Sequence, residues 1–147
     1  MLIQFQDYLS SENIFLWANL GVLPFWLMLI LIPNSRFTQI FVNSIIAPLI
    51  LCTAYVYIIY QSFLLDEPIL DFFLLYVSLD NLYTVFATES FLLIFWLHFL
   101  SLNLFLGSWV SRDSVKYNIS RGLIFVPLIL IYFTGPIGLV LYWLIRT

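Results

Sequence analysis

The side chains that could do chemistry in this chain gather in one apolar stretch of its second half. This stretch contains His98, Asn103 and Asp113, with Trp96 and Gly107 among them. The imidazole of His98 can act as an acid or a base, whereas the amide of Asn103 can only donate and accept hydrogen bonds. Polar groups inside such a segment are candidate functional residues because their burial is costly. The alternative interpretation is that His98 and Asn103 only hydrogen-bond to neighbouring helices and stabilise their packing.

Residue counts exclude several kinds of site and partner. The chain contains one cysteine and one histidine, which excludes a disulfide, a cysteine-based zinc site and a bis-histidine metal or haem site within one chain. Five Lys or Arg residues stand against eight Asp or Glu residues, so there is no basic surface for nucleic acid. We therefore expect neither a metal site nor a nucleic-acid partner.

The composition is typical of a membrane protein. Hydrophobic residues make up 63% of the 147 residues and charged residues 9%, whereas a soluble domain contains roughly 25% charged residues. Such a chain cannot cover itself with a solvated surface, which excludes a soluble enzyme and a disordered segment. The first expected partner is therefore the lipid bilayer, and residues 1–147 are interpreted as a single integral membrane domain.

Four apolar segments are long enough to cross a bilayer, which takes roughly 20 residues of helix. They are residues 14–32, 37–65, 90–110 and 122–145. Residues 69–87 are also apolar but contain Asp71 and Asp80, and a charge at the bilayer centre costs at least about 2.5–3.5 kcal/mol. The sequence therefore predicts an all-α fold, a four-helix transmembrane bundle with a short interfacial helical segment between helices 2 and 3.

The distribution of cations predicts the orientation of the chain. Arg36 lies in the first predicted loop, and Arg112, Lys116 and Arg121 lie in the third. The positive-inside rule places both loops in the cytoplasm or stroma. With four spans, Arg146, both termini and the acidic second loop would then face the lumen or periplasm.

The third predicted span has polar residues on two opposite sides. At about 100° per residue, Glu89, Trp96, Asn103 and Gly107 fall near one stripe, and His98 falls on the other side. Neither side is suited to face lipid. We therefore expect this helix to be central, with neighbours on both sides.

The fourth predicted span contains the sequence Gly-Pro-Ile-Gly at residues 135–138. Pro136 removes a helix hydrogen bond and favours a kink. Gly135 and the glycine three residues later allow another backbone or a flat ligand to approach closely. Trp26 and Trp96 lie deep in their spans, where they suit stacking on a polyene or macrocycle, although core packing explains them equally well.

The segment from Trp96 to Ser114 resembles the signature of the neoxanthin-synthase-like membrane family, which is named after an abscisic-acid-deficient plant mutant. The family pattern is Trp-x-His-x-x-x-x-Asp-Leu-Phe-x-Gly-x-Trp-x-x-x-Asp, followed by a span bearing Gly-Pro-x-Gly. Residues 135–138 match that span, and residues 23–26 resemble the first span of the family. The chain departs from the pattern at Asn103, where the family has an aspartate, and an amide cannot exchange a proton as a carboxyl group can.

The resemblance implies action on, or binding of, an epoxy-xanthophyll. The implied reaction is a redox-neutral isomerisation of a 5,6-epoxide to an allene and a tertiary alcohol, which requires an acid near the epoxide oxygen and a base near the C7 hydrogen. It requires no cofactor. The residues predicted to be catalytic are His98, Asn103 and Asp113. Those predicted to bind the ligand are Trp96, Gly107, Trp26, Gly135 and Pro136.

A second interpretation is a non-catalytic carotenoid- or chlorophyll-binding or assembly subunit of a photosynthetic membrane complex. His98 could then ligate the magnesium of a chlorophyll, and Asn103 could hydrogen-bond a ring carbonyl of the pigment. The expected partners are a carotenoid and, in this interpretation, other membrane proteins of the complex. Either interpretation places the chain in a thylakoid, plastid or bacterial inner membrane.

Overall fold

The helices of this protein pack around one long central helix. The computed structural model describes residues 9–44, 46–65 and 76–147, and these residues contain helices and no strand. The helices are α1 (Ser11–Leu31), a π-helical turn (Thr38–Val42), α2 (Ile46–Leu65), α3 (Leu79–Phe86), α4 (Glu89–Lys116), α5 (Arg121–Thr134) and α6 (Pro136–Arg146). The predicted all-helical fold is confirmed.

Three helical segments are long and apolar enough to cross a membrane. They are Ser11–Leu31, Thr38–Ser62 and Glu89–Lys116. They correspond to the first three predicted spans. The second is interrupted after the π-helical turn and resumes at Ile46. Pro48 explains the interruption, because proline cannot donate a helix hydrogen bond and is best accommodated in the first turn of a helix.

The central position predicted for the third span is confirmed. Helix α4 contacts α1, α2, α3, α5 and α6. Asn19 on α1 accepts a hydrogen bond from Trp96 near the start of α4, and the α1 loop residue Asn34 lies beside Ser111 near the end of α4, so α1 and α4 run in parallel. Helix α2 is antiparallel to both, because Asn43 before its start bonds to Ser108 and Tyr55 further along it contacts His98.

The fourth predicted span, residues 122–145, is divided into two helices, so a four-helix bundle is not confirmed. Helix α5 ends at Thr134, Gly135 adopts a φ of +66°, and α6 begins at Pro136. A Cβ on Gly138 would lie 2.5 Å from the carbonyl oxygen of Pro127 and 2.4 Å from the backbone nitrogen of Ile131. The two helices are therefore packed backbone to backbone, and the glycine spacing serves a reversal of direction instead of a kink.

Contacts at the two ends of this helical hairpin define its course. At its tip, Gly135 lies against Asn103 in the middle of α4. At its end, Arg146 forms a salt bridge of 3.2 Å with Asp113. Asn103 and Asp113 are separated along α4 by about 15 Å. The hairpin thus enters the helix assembly from the C-terminal end of α4 and returns to that end. Arg146 therefore lies at the same end of α4 as Asp113, and not at the opposite end predicted from the sequence. The side of the membrane that the C-terminus faces stays a prediction.

The predicted interfacial segment is described in part. Residues 69–75 lie outside the described part of the chain, and α3 covers Leu79–Phe86. Ser78 caps α3 by accepting a hydrogen bond from the backbone of Asn81. Within α3 no residue is buried, and Leu79 and Tyr83 are among its most exposed side chains. Its location at a membrane surface stays a prediction.

Candidate functional site

Five residues from three helices meet where the hairpin tip touches α4. We call this group the hairpin-tip cluster: Trp26 of α1, Asn103 and Gly107 of α4, Tyr132 of α5, and Gly135. At its centre, the side chain of Asn103 is 7% exposed. The Nδ2 atom of Asn103 is buried, and it has no hydrogen-bond partner among the described residues.

Gly135 brings the backbone of the hairpin onto the Asn103 side chain. A Cβ at this position would lie 2.6 Å from Oδ1 of Asn103. The positive φ of Gly135 is also a conformation that residues with a Cβ rarely adopt. Glycine is therefore required here for two independent reasons, one of contact and one of conformation.

Trp26 and Gly107 form the second close contact of the cluster. A Cβ on Gly107 would lie 2.6 Å from Cη2 of Trp26, so the indole ring occupies the space that any larger residue would fill. The ring of Trp26 is 4% exposed and meets Tyr132 edge to face, with 5.4 Å between ring centroids. Tyr132 is not among the predicted site residues, because only the reversal of the chain at Gly135 brings it to Trp26.

Trp96 and Pro136, which were predicted to bind ligand, lie outside this cluster. The Nε1 atom of Trp96 donates a hydrogen bond of 3.2 Å to Oδ1 of Asn19, and its ring stacks on Phe99. Trp96 precedes Asn103 by seven residues on α4, a rise of about 10 Å. Pro136 is the first residue of α6 and is exposed.

His98 is exposed on the other side of α4. It precedes Asn103 by five residues, which separates the two side chains by roughly 140° around the helix. Its imidazole lies beside Tyr55 of α2, with 6.1 Å between ring centroids. The rest of this side is covered by α2, since Ser101 donates to the carbonyl of Pro48. The structure therefore does not bring His98 and Asn103 into one site.

Asp113 belongs to a polar cluster at the far end of α4. Its Oδ2 atom accepts a hydrogen bond of 2.8 Å from the hydroxyl of Tyr142, as well as the salt bridge from Arg146. Arg146 also donates to the hydroxyl of Tyr117. This hydrogen bond and the nearby charge of Asp113 raise the pKa of Arg146, so the guanidinium stays charged. Asp113 thus holds α6 to α4 and lies about 15 Å from Asn103.

The hairpin-tip cluster is suited to hold one polar group of an otherwise apolar ligand. An amide N–H in apolar surroundings is a strong donor, because no water competes for it. The ring of Tyr132 is only partly buried and can pack against a ring or a polyene, while the buried Trp26 supports it from behind. Within the described part of the chain, no three His, Cys, Asp or Glu side chains come close enough to hold a metal ion.

Comparison with known proteins identifies relatives of the chain. Residues 13–142 match the model of a family described as ABA DEFICIENT 4-like. The chloroplastic protein ABA DEFICIENT 4 of Arabidopsis thaliana is 26% identical over 125 residues, which cover 80% of this chain and 57% of the plant protein. No solved structure matches the chain significantly. Because the family model spans most of its length, the chain belongs to the ABA DEFICIENT 4-like family.

Proposed function

We propose that this protein acts on an epoxy-xanthophyll in a membrane, with one end ring of the carotenoid at the hairpin-tip cluster. The observation that supports this most is the buried Nδ2 of Asn103, which has no partner among the described residues. A buried donor without a partner costs about 1–3 kcal/mol. The oxygen of an epoxide or hydroxyl group on the ring would accept this N–H and recover that cost.

The chemistry follows from the family resemblance. The C–O bond of the epoxide breaks, the C7 hydrogen leaves as a proton, and the oxygen gains a proton to become a tertiary alcohol, so the isomerisation is balanced without a cofactor. Asn103 would polarise the epoxide oxygen by hydrogen bonding, since an amide cannot deliver the proton. Tyr132 adds an ionisable hydroxyl group to the cluster and is the candidate proton donor.

One observation favours a second candidate function, the binding of the carotenoid without conversion. Asn103 stands where the family pattern has an aspartate. His98 faces away from the cluster, and the carboxylate of Asp113 is bound by Arg146. A cluster that lacks a carboxylate and an imidazole can still orient an epoxide ring through one hydrogen bond and aromatic contacts.

Expression in a bacterial host that makes violaxanthin tests both candidates. Chromatography of the pigments should show an allenic isomer of violaxanthin if the protein is a catalyst. If it only binds, unconverted violaxanthin should co-purify with it in mild detergent. Asn103→Leu should abolish either result, and Asn103→Asp should increase conversion. His98→Leu is the matched control and should behave as the wild type, because His98 lies outside the cluster.

Two results would contradict the proposal. One is wild-type conversion or binding by Asn103→Leu, which would place the ligand elsewhere. The other is a folded wild-type protein that neither converts nor retains violaxanthin.

A further inference from the structure

Two adjoining clefts open at the end of α4 where its cations lie. Their volumes are about 280 Å³ and about 410 Å³. Both are lined by the loop after α1, at Pro33 and Asn34, and by Ser111 and Val115 of α4. This end of the molecule lies about 15 Å from Asn103 along α4, so the clefts are separate from the hairpin-tip cluster.

Ser111 presents a buried hydroxyl group to these clefts. Its side chain is 1% exposed, and its Oγ atom has no hydrogen-bond partner among the described residues. Its neighbour Ser114 is satisfied, because it donates 2.8 Å to the carbonyl oxygen of Ser111. A buried hydroxyl without a partner is unfavourable, and a ligand oxygen in the cleft would accept a hydrogen bond from it.

The smaller cleft also contains the N-terminus of α5. Ser120 is the N-cap of this helix, and its side chain makes no capping hydrogen bond. The backbone N–H groups at the start of a helix have no partner within the helix, and the helix dipole adds a partial positive charge there. Ser120 and Arg121 line this cleft, so a helix terminus and a buried hydroxyl group face the same space.

Positive side chains complete the surroundings of the clefts. Arg121 lines the smaller cleft and Arg112 the larger. In the part of the chain that the structure describes, the one salt bridge joins Arg146 to Asp113, which leaves both of these guanidinium groups without an acidic partner. Arginine is well suited to bind phosphate, because its planar group donates two parallel hydrogen bonds.

We propose that the smaller cleft binds a phosphate group, and that this group belongs to the headgroup of an anionic lipid. Free phosphate has the same charge and acceptor oxygens, but the walls of the smaller cleft favour a lipid. Val115, Ile119 and Ile124 line it beside the polar groups. An apolar wall next to a phosphate site suits the glycerol and upper acyl chains of a lipid and contributes nothing to the binding of an inorganic ion.

The test is a binding titration of the whole protein in neutral detergent. The probes are dioleoylphosphatidylglycerol, dioleoylphosphatidylcholine and inorganic phosphate, and the readout is the rise in Tm with concentration, which gives a Kd for each. Phosphatidylglycerol should bind at least tenfold more tightly than phosphatidylcholine. Ser111→Ala and Arg121→Gln should each weaken its binding by roughly tenfold, as expected for a hydrogen bond to a charged group.

Arg36→Gln is the matched control. Arg36 follows Pro33 and Asn34 closely in the chain, is exposed, and lines neither cleft. The substitution removes the same charge as Arg121→Gln does, and the Kd for phosphatidylglycerol should change by less than twofold. Ser111→Ala should fold well, because it removes a hydroxyl group that has no partner among the described residues.

Each outcome decides the proposal. Equal affinity for the two lipids would overturn it, because the headgroup charge would then not matter. An equal loss of phosphatidylglycerol affinity in Arg36→Gln and Arg121→Gln would also overturn it, because it indicates general attraction to a charged surface. If inorganic phosphate binds and phosphatidylglycerol does not, and Ser111→Ala weakens the binding of phosphate, the anion site is supported. The lipid headgroup is then ruled out as the source of the phosphate. Violaxanthin carries no charge and is proposed to bind at the hairpin-tip cluster, so its binding should be unaffected by these variants. The two proposals can therefore fail independently.

Discussion

Arg146, the last helical residue of the chain, forms a salt bridge of 3.2 Å with Asp113 on the central helix. This contact means that α6 returns to the end of α4 from which α5 departs. All five Lys and Arg residues of the sequence therefore lie at one end of the molecule: Arg36, Arg112, Lys116, Arg121 and Arg146. We therefore predict three spanning helices with a re-entrant hairpin, since this arrangement would place all five cations on one side of a membrane, as the positive-inside rule expects.

The C-terminus should lie on the same side of the membrane as the loop between α4 and α5. In a Cys52→Ser background, Thr147→Cys and Asn118→Cys should react alike with an impermeant maleimide added to sealed membrane vesicles. Ser78→Cys, which precedes α3, should show the opposite accessibility. Co-labelling of Thr147→Cys with Ser78→Cys would instead indicate a fourth span.

Asp113 should stabilise the protein through its contacts with α6. Asp113→Leu leaves the fully buried Tyr142 without its acceptor, and the loss should be about 1–3 kcal/mol of unfolding free energy. The measurement is thermal unfolding in mild detergent. In the Asp113→Leu background, Tyr142→Phe should lower the unfolding free energy much less than it does in the wild type. The reason is that the hydroxyl group of Tyr142 and the carboxylate of Asp113 bond to each other. Independent, additive losses would argue against the contact.

Gly107→Ala should destabilise the protein, because the added Cβ would lie 2.6 Å from the rigid indole ring of Trp26. Overpacking of this kind costs about 1–3 kcal/mol. Gly21→Ala is the matched control, since a Cβ there meets nothing within 4 Å. Alanine at that helical position should be neutral or stabilising by about 0.5–1 kcal/mol. Equal Tm values for the two variants would show that α1 and α4 are further apart than the structure has them.

Gly135→Ala should disturb the hairpin tip through both its backbone and its new side chain. With φ +66° and ψ −84°, this backbone conformation is sparsely populated and costs an alanine about 1–3 kcal/mol, and the contact with Asn103 adds to this. Adding Asn103→Ala to the Gly135→Ala variant should restore the stability lost to the close contact. The stability lost to the backbone conformation should remain lost. Gly122→Ala adds a Cβ that meets nothing within 4 Å in helix α5, so this variant should unfold at or above the wild-type Tm. Full recovery in the double variant would mean that Gly135 does not adopt this conformation.

Much of the architecture was predictable because its causes are local. The lengths of the apolar runs predict the helices, and Pro33 predicts the end of α1, since a proline ring cannot continue a helix. The spacing of polar residues on α4 predicts a central helix, because lipid cannot satisfy two opposite polar sides. The motif around Asn103 similarly predicts the family that the comparison confirms.

The tertiary structure decided how the fourth apolar run is used. A glycine followed by a proline is compatible with a kinked span and with a reversal, because both need only a local break in hydrogen bonding. The contacts of Gly138 with α5 and of Arg146 with Asp113 select the reversal. They join residues far apart in sequence, so no local pattern records them. For the same reason, spacing places His98 and Asn103 on opposite sides of α4, but only the packing of α1 and the hairpin shows that the Asn103 side is the buried one.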